Sequence, residues 1–328
     1  MDTVRFAVIG TNWITGALID AGRTVDGFEV GAVCSRSADS GRTFADQYGI
    51  ARVHTSVADL ADDPEVDAVY IASPNSLHSE QSIAMLQAGK HVLTEKPMGA
   101  NAHEVEAMAA AALAADRVLM EAYTSPWEPN VEAIRDALPE VGTLRRVVLA
   151  KDQYSSRYDR LRAGELPNAF NPAFAAGSLM DLGIYAVALS RLLFGEPTSV
   201  HATGHLLPTG VDGQGTVLLG YDGFEVACLH SKIAPSGVGS AITGEQGVVH
   251  FDDCSVPTTV RLDRRDGTSR DLTRAQSPLH MRYEVEHFLT CVRAGEQSPT
   301  WPVANSLAVA RILDRARAQV GVRFPADS

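Results

Sequence analysis

Lysine is scarce in this chain of 328 residues, because only four of its 28 basic side chains are lysines. They are Lys90, Lys96, Lys151 and Lys232. Ammonium and guanidinium groups differ in shape and hydration, so a chain that uses arginine for surface charge can keep lysine for sites where a guanidinium would not serve. Compositional drift is the alternative, and the sequence leaves both interpretations open for each lysine.

Clustered basic charge and long apolar runs are also lacking. The formal net charge is −12, and no basic stripe is visible, which argues against a nucleic-acid partner because phosphate binding needs one. The plainest apolar run, residues 107–115, is shorter than the roughly 18 residues that a membrane-spanning helix needs. We therefore expect neither a nucleic-acid nor a membrane partner.

Cysteine pairs and a leader segment are absent as well. The four cysteines are far apart, without a CxxC pair, so neither a disulfide framework nor a zinc site is indicated. A strand-like run begins almost at once after Met1 and Asp2, with no basic and apolar leader before it. We expect a cytoplasmic protein with reduced thiols and no metal.

Strand and helix alternate over the first 120 residues. Predicted strands span 6–9, 29–33, 68–71, 91–94 and 118–121, and predicted helices span 14–21, 38–48, 77–88 and 102–116. This alternation predicts an α/β domain with a doubly wound parallel sheet. Ligands of such sheets bind beyond the carboxyl ends of the strands.

The second half of the chain contains strands without helices between them. We predict a helix at 179–193, strands at 200–207, 216–220, 225–232, 247–251 and 259–262, and closing helices at 281–294 and 303–321. Turn signals stand at 212–213, 222–223 and 266–267. The pattern predicts an α+β domain with a mostly antiparallel open sheet, covered on one face by the helix at 179–193 or by a partner subunit.

The turn after the first predicted strand indicates a dinucleotide site. Residues 10–15 keep only the first glycine of the G-x-G-x-x-G fingerprint, Gly10, which allows a tight turn. Asn12 tolerates a left-handed backbone and can replace the second glycine. An ordinary strand–helix turn is the alternative, but the position at the start of a βαβ unit favours a Rossmann domain. We place that domain at 1–122 and a substrate-binding and dimerisation domain at 123–328, whose last helix can pack back on the first.

The end of the second predicted strand favours NADP over NAD. An NAD enzyme carries Asp or Glu there for the ribose hydroxyls, whereas this chain has Ser35 and Arg36. Arg36 can pair with a 2′-phosphate, and Ser35 can donate a hydrogen bond to it. The alternative is a surface arginine, which leaves NAD possible.

Three further motifs stand at separate places in the chain. They are Ser-Pro-Asn at 73–75 with His78, the run Ala-Gly-Lys-His-Val-Leu-Thr-Glu-Lys-Pro at 88–97, and Gly-Ser-Leu-Met-Asp-Leu-Gly-Ile-Tyr at 177–185. Together they resemble the Gfo/Idh/MocA oxidoreductase family, and within it the branch of glucose–fructose oxidoreductase and dimeric dihydrodiol dehydrogenase. The resemblance covers essentially the whole chain. It implies cofactor contacts at Gly10, Thr11, Asn12, Trp13, Ile14, Ser35, Arg36, Ser73, Pro74, Asn75, His78, Glu95, Lys96 and Pro97.

The same resemblance implies that Lys96 is the central catalytic residue. Its ammonium would stabilise the oxygen on which negative charge develops as hydride leaves. Glu95 resembles a family residue that helps to hold the cofactor and the lysine, and Pro97 resembles one that follows a cis peptide bond. A solvated lysine at a strand end is the alternative.

Asp181 and Tyr185 lie four residues apart, so on a helix they share one face. Tyrosine at 185 stands where many relatives carry histidine. A phenol can act as general acid or base where a nearby cation, here expected to be Lys96, stabilises its phenolate. The motif around them implies that Tyr185 and Asp181 are both catalytic residues. Packing of Tyr185 and a helix-end charge at Asp181 are the alternatives.

Candidate substrate contacts are less specific. Tyr123 follows the last strand of the first domain and is expected to line a cleft, whereas the following Thr-Ser-Pro-Trp at 124–127 departs from the family pattern. In the stretch 153–171, Tyr154, Arg157 and Asn168 could bind polyol hydroxyls, although a surface loop explains them equally well.

These residues predict hydride transfer between NADP(H) and a carbinol carbon of a sugar, polyol or cyclic diol. The alternative is a non-catalytic protein of the same fold that senses NAD(P) or a sugar. The family resemblance implies a homodimer, or a dimer of dimers, formed through the C-terminal sheet.

Overall fold

A computed structural model of the chain describes residues 3–328. Met1 and Asp2 lie outside the described residues. The start of the predicted first domain and part of the run used to predict the absence of a leader fall on these two residues. The described α-helices are α1 Trp13–Gly22, α2 Ala38–Tyr48, α3 Val57–Ala61, α4 His78–Gln87, α5 Ala102–Ala115, α6 Pro129–Ala137, α7 Tyr158–Arg162, α8 Ile184–Phe194, α9 Met281–Ala294 and α10 Val303–Val320.

Six parallel strands form the first sheet, in the order β3-β2-β1-β4-β5-β6. They are β1 Val4–Ile9, β2 Phe28–Cys34, β3 Arg52–His54, β4 Ala68–Ile71, β5 His91–Glu95 and β6 Leu119–Ala122. The predicted doubly wound sheet is confirmed, and its strand order is that of a Rossmann domain. The sequence did not predict β3, because three half-buried residues give too short an apolar signal.

The strand order reverses between β1 and β4, so the loops that follow these two strands meet. A Cβ at Gly10 would lie 2.7 Å from the carbonyl oxygen of Ala72, which shows how closely the two backbones approach. In open α/β sheets, ligands bind at this point. We therefore expect a ligand of this sheet to contact the loops after β1, β2, β4 and β5.

Two compact units make up the chain. The first combines Met1–Thr124 with Ser277–Leu307, and the second combines Ser125–Gln276 with Ala308–Ser328. This division differs from the predicted boundary at 122/123, because α9 and the start of α10 belong to the first unit. The ring of Phe288 in α9 lies 5.7 Å from the ring of Phe6 in β1, so apolar packing holds α9 there.

The second unit contains an eight-stranded sheet, in the order β14-β13-β12-β11-β7-β10-β9-β8. Its pairings are antiparallel except for β10 with β7, as predicted for a mostly antiparallel sheet. The strands are β7 Leu144–Asp152, β8 Ser199–Leu206, β9 Asp212–Tyr221, β10 Phe224–Ser231, β11 Ser240–Gly244, β12 Gly247–Phe251, β13 Val260–Arg264 and β14 Ser269–Asp271.

Two of the three predicted turns in this sheet are confirmed. Asp222 and Gly223 connect β9 to β10, and Gly267, with φ of +88°, lies between β13 and β14. The predicted turn at 212–213 is wrong, because Asp212 and Gly213 begin β9, where Asp212 pairs with Leu206 of β8. Asp212 is instead 2% exposed, and its carboxylate binds the backbone of another element.

The predicted helix at 179–193 is interrupted at its start. Residues Leu179–Gly183 form a π-helical turn, with backbone hydrogen bonds from i to i+5, and α8 continues from it. The segment Pro172–Phe194 is long and apolar enough to cross a membrane, but 78% of its most apolar window is buried inside the protein. Burial in the unit's own core accounts for this apolar composition.

Candidate functional site

The turn from β1 to α1 has the expected tight geometry at Gly10 but not at Asn12. Gly10 has φ of +107°, which favours glycine. Asn12 has φ of −105° and ψ of 178°, so the expectation of a left-handed asparagine is wrong. Its side chain instead caps α1, accepting hydrogen bonds from the amides of Ile14 and Thr15 at 3.1 Å each, and donates to Ala72 O at 2.7 Å. Asn12 therefore fixes the loop through its side chain.

An indole side chain stands in solvent beside this turn. Trp13, the first residue of α1, is 72% exposed, whereas Thr11 and Ile14 are half-buried. A tryptophan this exposed contributes little to the core, so its flat apolar face is available to a ligand at the start of the helix.

The end of β2 presents a cation without an acidic partner. Arg36 is exposed, and within residues 3–328 it makes no ion pair. Ser35 lies beside it, and its hydroxyl is 2.8 Å from that of Ser40. A guanidinium next to two hydroxyl groups, with no carboxylate from β2, suits a phosphate rather than ribose hydroxyls.

His78 ties together the loops that follow β4 and β5. Its side chain is fully buried, with Nδ1 2.9 Å from Pro97 O and Nε2 2.9 Å from Ser73 O. Burial lowers the pKa of His78, so the ring is neutral and donates to one carbonyl at a time. The imidazole is enclosed by backbone and supports the two loops, and its direct contact with the cofactor stays a prediction. Ser73, Pro74 and Asn75 are half-buried at the loop itself.

Lys96 follows directly after β5, and the predicted cis bond to Pro97 is confirmed. Glu95, the last residue of β5, accepts a hydrogen bond from the Tyr70 hydroxyl at 2.6 Å. Burial raises the pKa of Glu95, whereas the charge of Lys96 opposes that rise. The half-buried lysine thus stands next to a carboxyl that is itself held in place.

Tyr123 does not line an open surface in its unit. It is 2% exposed, and its ring centroid lies 5.0 Å from that of Trp301. The ring of Tyr123 therefore packs in the core, and its contact with substrate stays a prediction. Glu121, two residues earlier, accepts hydrogen bonds from Met98 N, Trp301 Nε1 and Ser306 Oγ.

In the second unit, Asp181 lies in the π-turn and Tyr185 in the first turn of α8, and both are half-buried. The ammonium of Lys151 lies 5.8 Å from the centroid of the Tyr185 ring. The ammonium of Lys232 donates to Oδ2 of Asp181. The Asp181 carboxylate and the Tyr185 ring therefore each have a lysine of their own unit nearby. The sequence predicted only Lys96 as the cation near Tyr185.

The π-turn is held at both ends by residues of the second sheet. Asp212 Oδ2 accepts a hydrogen bond from Leu179 N at 2.7 Å. Burial raises the pKa of Asp212 to about 6 and lowers that of His230 to about 3. A Cβ at Gly183 would lie 2.9 Å from the His230 ring, so glycine is required for this close packing.

The stretch between β7 and the π-turn carries the remaining substrate candidates. Tyr154, Arg157 and Asn168 are all exposed, and the Tyr154 hydroxyl donates to Asp159 at 2.7 Å. These side chains lie on a surface segment, as either interpretation of the sequence requires. Among residues 3–328, no group of three His, Cys, Asp or Glu side chains is arranged to hold a metal ion.

The site also contains four residues near Asp181, Tyr185 and the π-turn that the sequence did not predict. Lys151, Lys232, Asp212 and His230 are distant in sequence from Asp181 and Tyr185, so no local pattern connects them. The scarcity of lysine was the one available signal, since two of the four lysines contact these two residues.

Known proteins resemble both halves of the chain. Residues 4–123 match the GFO/IDH/MocA model of an oxidoreductase family with an NAD-binding Rossmann fold, and residues 139–250 match the GFO/IDH/MocA C-terminal domain. The chain is 42% identical to scyllo-inositol 2-dehydrogenase (NADP(+)) IolU of Bacillus subtilis, over 99% of each protein. It is 34% identical to trans-1,2-dihydrobenzene-1,2-diol dehydrogenase of Mus musculus, over 91% of each.

Solved structures share the fold over nearly the full length. The aldose–aldose oxidoreductase of Caulobacter crescentus, complexed with glycerol, superimposes with a TM-score of 0.84 at 26% identity and covers 97% of each chain. The 3-ketoreductase KijD10 of Actinomadura kijaniata, in complex with NADP and TDP-benzene, gives a TM-score of 0.88 at 24% identity. It covers 99% of this chain and 100% of its own, and its likeness concerns the fold alone.

Proposed function

Because the chain belongs to the Gfo/Idh/MocA oxidoreductase family, we propose that it oxidises one hydroxyl of a trans vicinal diol on a six-membered carbocycle. It is an NADP-dependent dehydrogenase that acts on CH–OH groups of sugar, polyol or diol type. The name of the Bacillus relative specifies an inositol, and that of the mouse relative specifies a dihydrobenzenediol. Both compounds are six-membered carbon rings with neighbouring trans hydroxyls, and this shared chemistry carries the proposal.

The residues of the first unit fit NADP. Gly10, with φ of +107°, packs against the Ala72 backbone and lets the loop turn tightly into α1, whose N-terminus suits a pyrophosphate. Arg36 and Ser35 supply a cation and a hydroxyl for the 2′-phosphate. We assign the cofactor contacts to Gly10, Thr11, Asn12, Trp13, Ile14, Ser35, Arg36, Ser73, Pro74, Asn75, Glu95, Lys96 and Pro97, with His78 as their support.

The residues of the second unit suit a vicinal diol. Asp181 and Tyr185 stand on successive helical turns, so a carboxylate and a phenol are available for two neighbouring hydroxyls. NADP⁺, when bound, would supply the acceptor for the hydride of the carbinol carbon. Tyr185 takes the proton of the hydroxyl that is oxidised. The ammonium of Lys151, which is paired with Asp253 and lies 5.8 Å from the centroid of the Tyr185 ring, adds positive charge near the phenolate. Lys96 stabilises the negative charge that develops on the substrate oxygen.

Further contacts to the ring hydroxyls come, in this proposal, from the surface segment that contains Tyr154, Arg157 and Asn168. Exposed phenol, guanidinium and amide groups can each bond a hydroxyl without a fixed geometry. Such contacts would set the choice among ring polyols rather than the chemistry. Tyr123 takes no part in these proposed contacts to the ring hydroxyls.

The remaining expectations concern the protein's state in the cell. We infer a cytoplasmic homodimer, or a dimer of dimers, assembled through the second sheet, where Leu218 of β9 is 39% exposed. Light scattering of the purified protein measures the assembly, and a monomer at all concentrations would reject it.

A screen of NADP⁺ reduction tests the substrate class. The panel contains scyllo-inositol, myo-inositol, trans- and cis-cyclohexane-1,2-diol, glucose and an acyclic hexitol. We expect the highest kcat/KM with ring compounds that have a trans vicinal diol, and little activity with the cis isomer. Preference for glucose or the acyclic hexitol would reject the carbocyclic proposal.

A further inference from the structure

The contact between Lys232 and Asp181 is asymmetric in its burial. Lys232 follows β10 directly, and its ammonium donates to Oδ2 of Asp181. The lysine side chain is 5% exposed, whereas that of Asp181 is 44% exposed. The cation therefore approaches from the interior, and the carboxylate is the part of the pair that a ligand can reach.

Lys232 is fixed at its backbone and at its head group. Its amide donates to Gly213 O at 2.8 Å, and its carbonyl accepts from Ser155 N at 2.9 Å. The ammonium lies 5.5 Å from the ring centroid of Phe170, a distance at which a cation is attracted to an aromatic face. The side chain therefore cannot follow Asp181 freely, and it sets where that carboxylate points.

Other titratable groups stand around Asp181. Asp212 of β9 lies close enough to Lys232 for the ammonium to lower its pKa against the effect of burial. His230 of β10 is buried and neutral, since burial lowers its pKa to about 3. Tyr185 lies on the same helical segment, with Lys151 of β7 beside its ring. Lys232 is thus a cation in direct contact with Asp181, and it also faces a second carboxyl.

We propose that Lys232 is a positioning residue of the polyol site, which keeps the Asp181 carboxylate ionised and turned outward to accept a hydrogen bond from the hydroxyl beside the one that is oxidised. The proposal rests on the proposed function, because it takes Asp181 as a substrate contact. A carboxylate bound by an ammonium is a weaker base, so proton transfer is left to Tyr185. This position keeps a lysine in a chain that carries most of its positive charge on arginine, which fits a site that needs a compact ammonium.

Kinetics of Lys232→Met and Lys232→Arg test this role. Lys232→Met removes the charge and keeps the stem, and we expect kcat/KM for the best ring diol to fall roughly 10- to 100-fold through misplacement of Asp181. The acid limb of the kcat/KM profile should move up by about one pH unit or more, since Asp181 loses its cation. Lys232→Arg should keep the acid limb in place, because it retains the charge.

A double-mutant cycle shows whether Lys232 acts through Asp181. In the Asp181→Asn background, Lys232→Met should cause little further loss, because the group it positions is already neutral. The proposal would be overturned if the losses in kcat/KM from the two substitutions multiply in the double variant. It would also be overturned if the acid limb does not move in Lys232→Met. Lys90→Met is the matched control: it removes a buried ammonium that donates to Asp63 O at 2.7 Å, and it should leave the limb unchanged.

A titration independent of turnover separates this proposal from the proposed function. The ¹³Cγ signal of Asp181, assigned by its loss in Asp181→Asn, is followed against pH in the ligand-free enzyme. Its midpoint should lie about one pH unit or more higher in Lys232→Met than in the wild type. An unchanged midpoint overturns the role of Lys232, even if ring diols are oxidised. A shifted midpoint without turnover of any ring polyol rejects the proposed function and leaves the pairing supported.

Discussion

Glu121 accepts a hydrogen bond from the amide of Met98 at 2.9 Å, two residues beyond Lys96. Its other oxygen accepts from Ser306 Oγ at 2.6 Å and Trp301 Nε1 at 3.3 Å. Burial raises the pKa of Glu121, whereas these donors and the charge of Lys96 oppose that rise. A residue of β6 therefore anchors the segment that carries the proposed catalytic lysine.

Glu121→Gln should loosen this anchor. Either orientation of the amide sets an N–H group against one of the three donors, and a mismatch of this kind in a buried site costs about 1–3 kcal/mol. We expect a lower urea midpoint, a change in Trp301 fluorescence and a reduced kcat. Glu80→Gln on the exposed face of α4 is the control. Wild-type stability and kcat in Glu121→Gln would show that the anchor is dispensable.

Arg36→Asp tests the cofactor assignment. A charge-assisted contact is worth roughly 1.5–3 kcal/mol, so NADP binding should weaken by about tenfold or more while NAD binding stays nearly constant. Fluorescence titration with both cofactors measures the ratio. Arg42→Asp, on α2 nearby, controls for the change in surface charge. Equal losses for NADP and NAD would contradict a 2′-phosphate contact.

Lys96→Met removes the proposed charge stabilisation and keeps most of the side-chain volume. Turnover should collapse, because the developing oxyanion loses its cation, whereas NADP should still bind, although more weakly. Steady-state rates and cofactor titration separate the two effects, with Lys90→Met as control. Normal turnover with a ring diol would remove Lys96 from the mechanism.

Tyr185→Phe removes the proposed proton acceptor and preserves the ring. General acid–base catalysis is worth about 10²–10⁴-fold, and kcat should fall by that order. The pH–rate profile should also lose its tyrosine-dependent limb, while NADP affinity stays constant. Tyr48→Phe, in the first unit, controls for the loss of a hydroxyl. An unchanged profile would make Tyr185 a packing residue and leave the proton to Asp181 or water.

Asp212→Asn should change how stability depends on pH. The pKa of Asp212 is raised to about 6 in the fold, against about 3.9 when unfolded, so its contribution is fully present at low pH and is lost as pH rises through 6. Asparagine cannot ionise. From pH 4 to pH 7 the variant should therefore gain about 2 kcal/mol of unfolding free energy relative to the wild type. Urea unfolding measures this difference, and Asp222→Asn, in an exposed turn, should show none.

The sequence predicted the elements whose apolar pattern is continuous. β1, β4 and β6 are nearly uniform buried runs, β5 is buried at its centre and β2 over its last three residues, and each was predicted close to its observed bounds. β7 was not predicted, because charged residues at both ends obscure its buried centre. The π-turn was not predicted either, since it depends on Asp212 and His230 from the sheet rather than on local spacing.

The candidate site was predicted where it depends on short motifs. Lys96 with its cis Pro97 and the turn at Gly10 belong to such motifs, and the structure has the expected backbone at both. Asn12 was misjudged because capping, and not a left-handed backbone, is the role of its side chain. The partners of Asp181 and Tyr185 come from β7 and the end of β10, which only the tertiary fold brings near the helix.

The enclosure of the lysines makes the protein resistant to one kind of cleavage. Lys90 is 8% exposed, and the side chains of Lys232 and Lys151 are 5% and 18% exposed. A lysine-specific endoprotease needs an extended, accessible chain, so digestion of these sites must wait for local opening. The rate of cleavage at Lys90 would then report how fast the first unit opens. The rate of cleavage at Lys151 or Lys232 would report the same for the second unit. Fragment masses from one digestion would thereby compare the kinetic resistance of the two units.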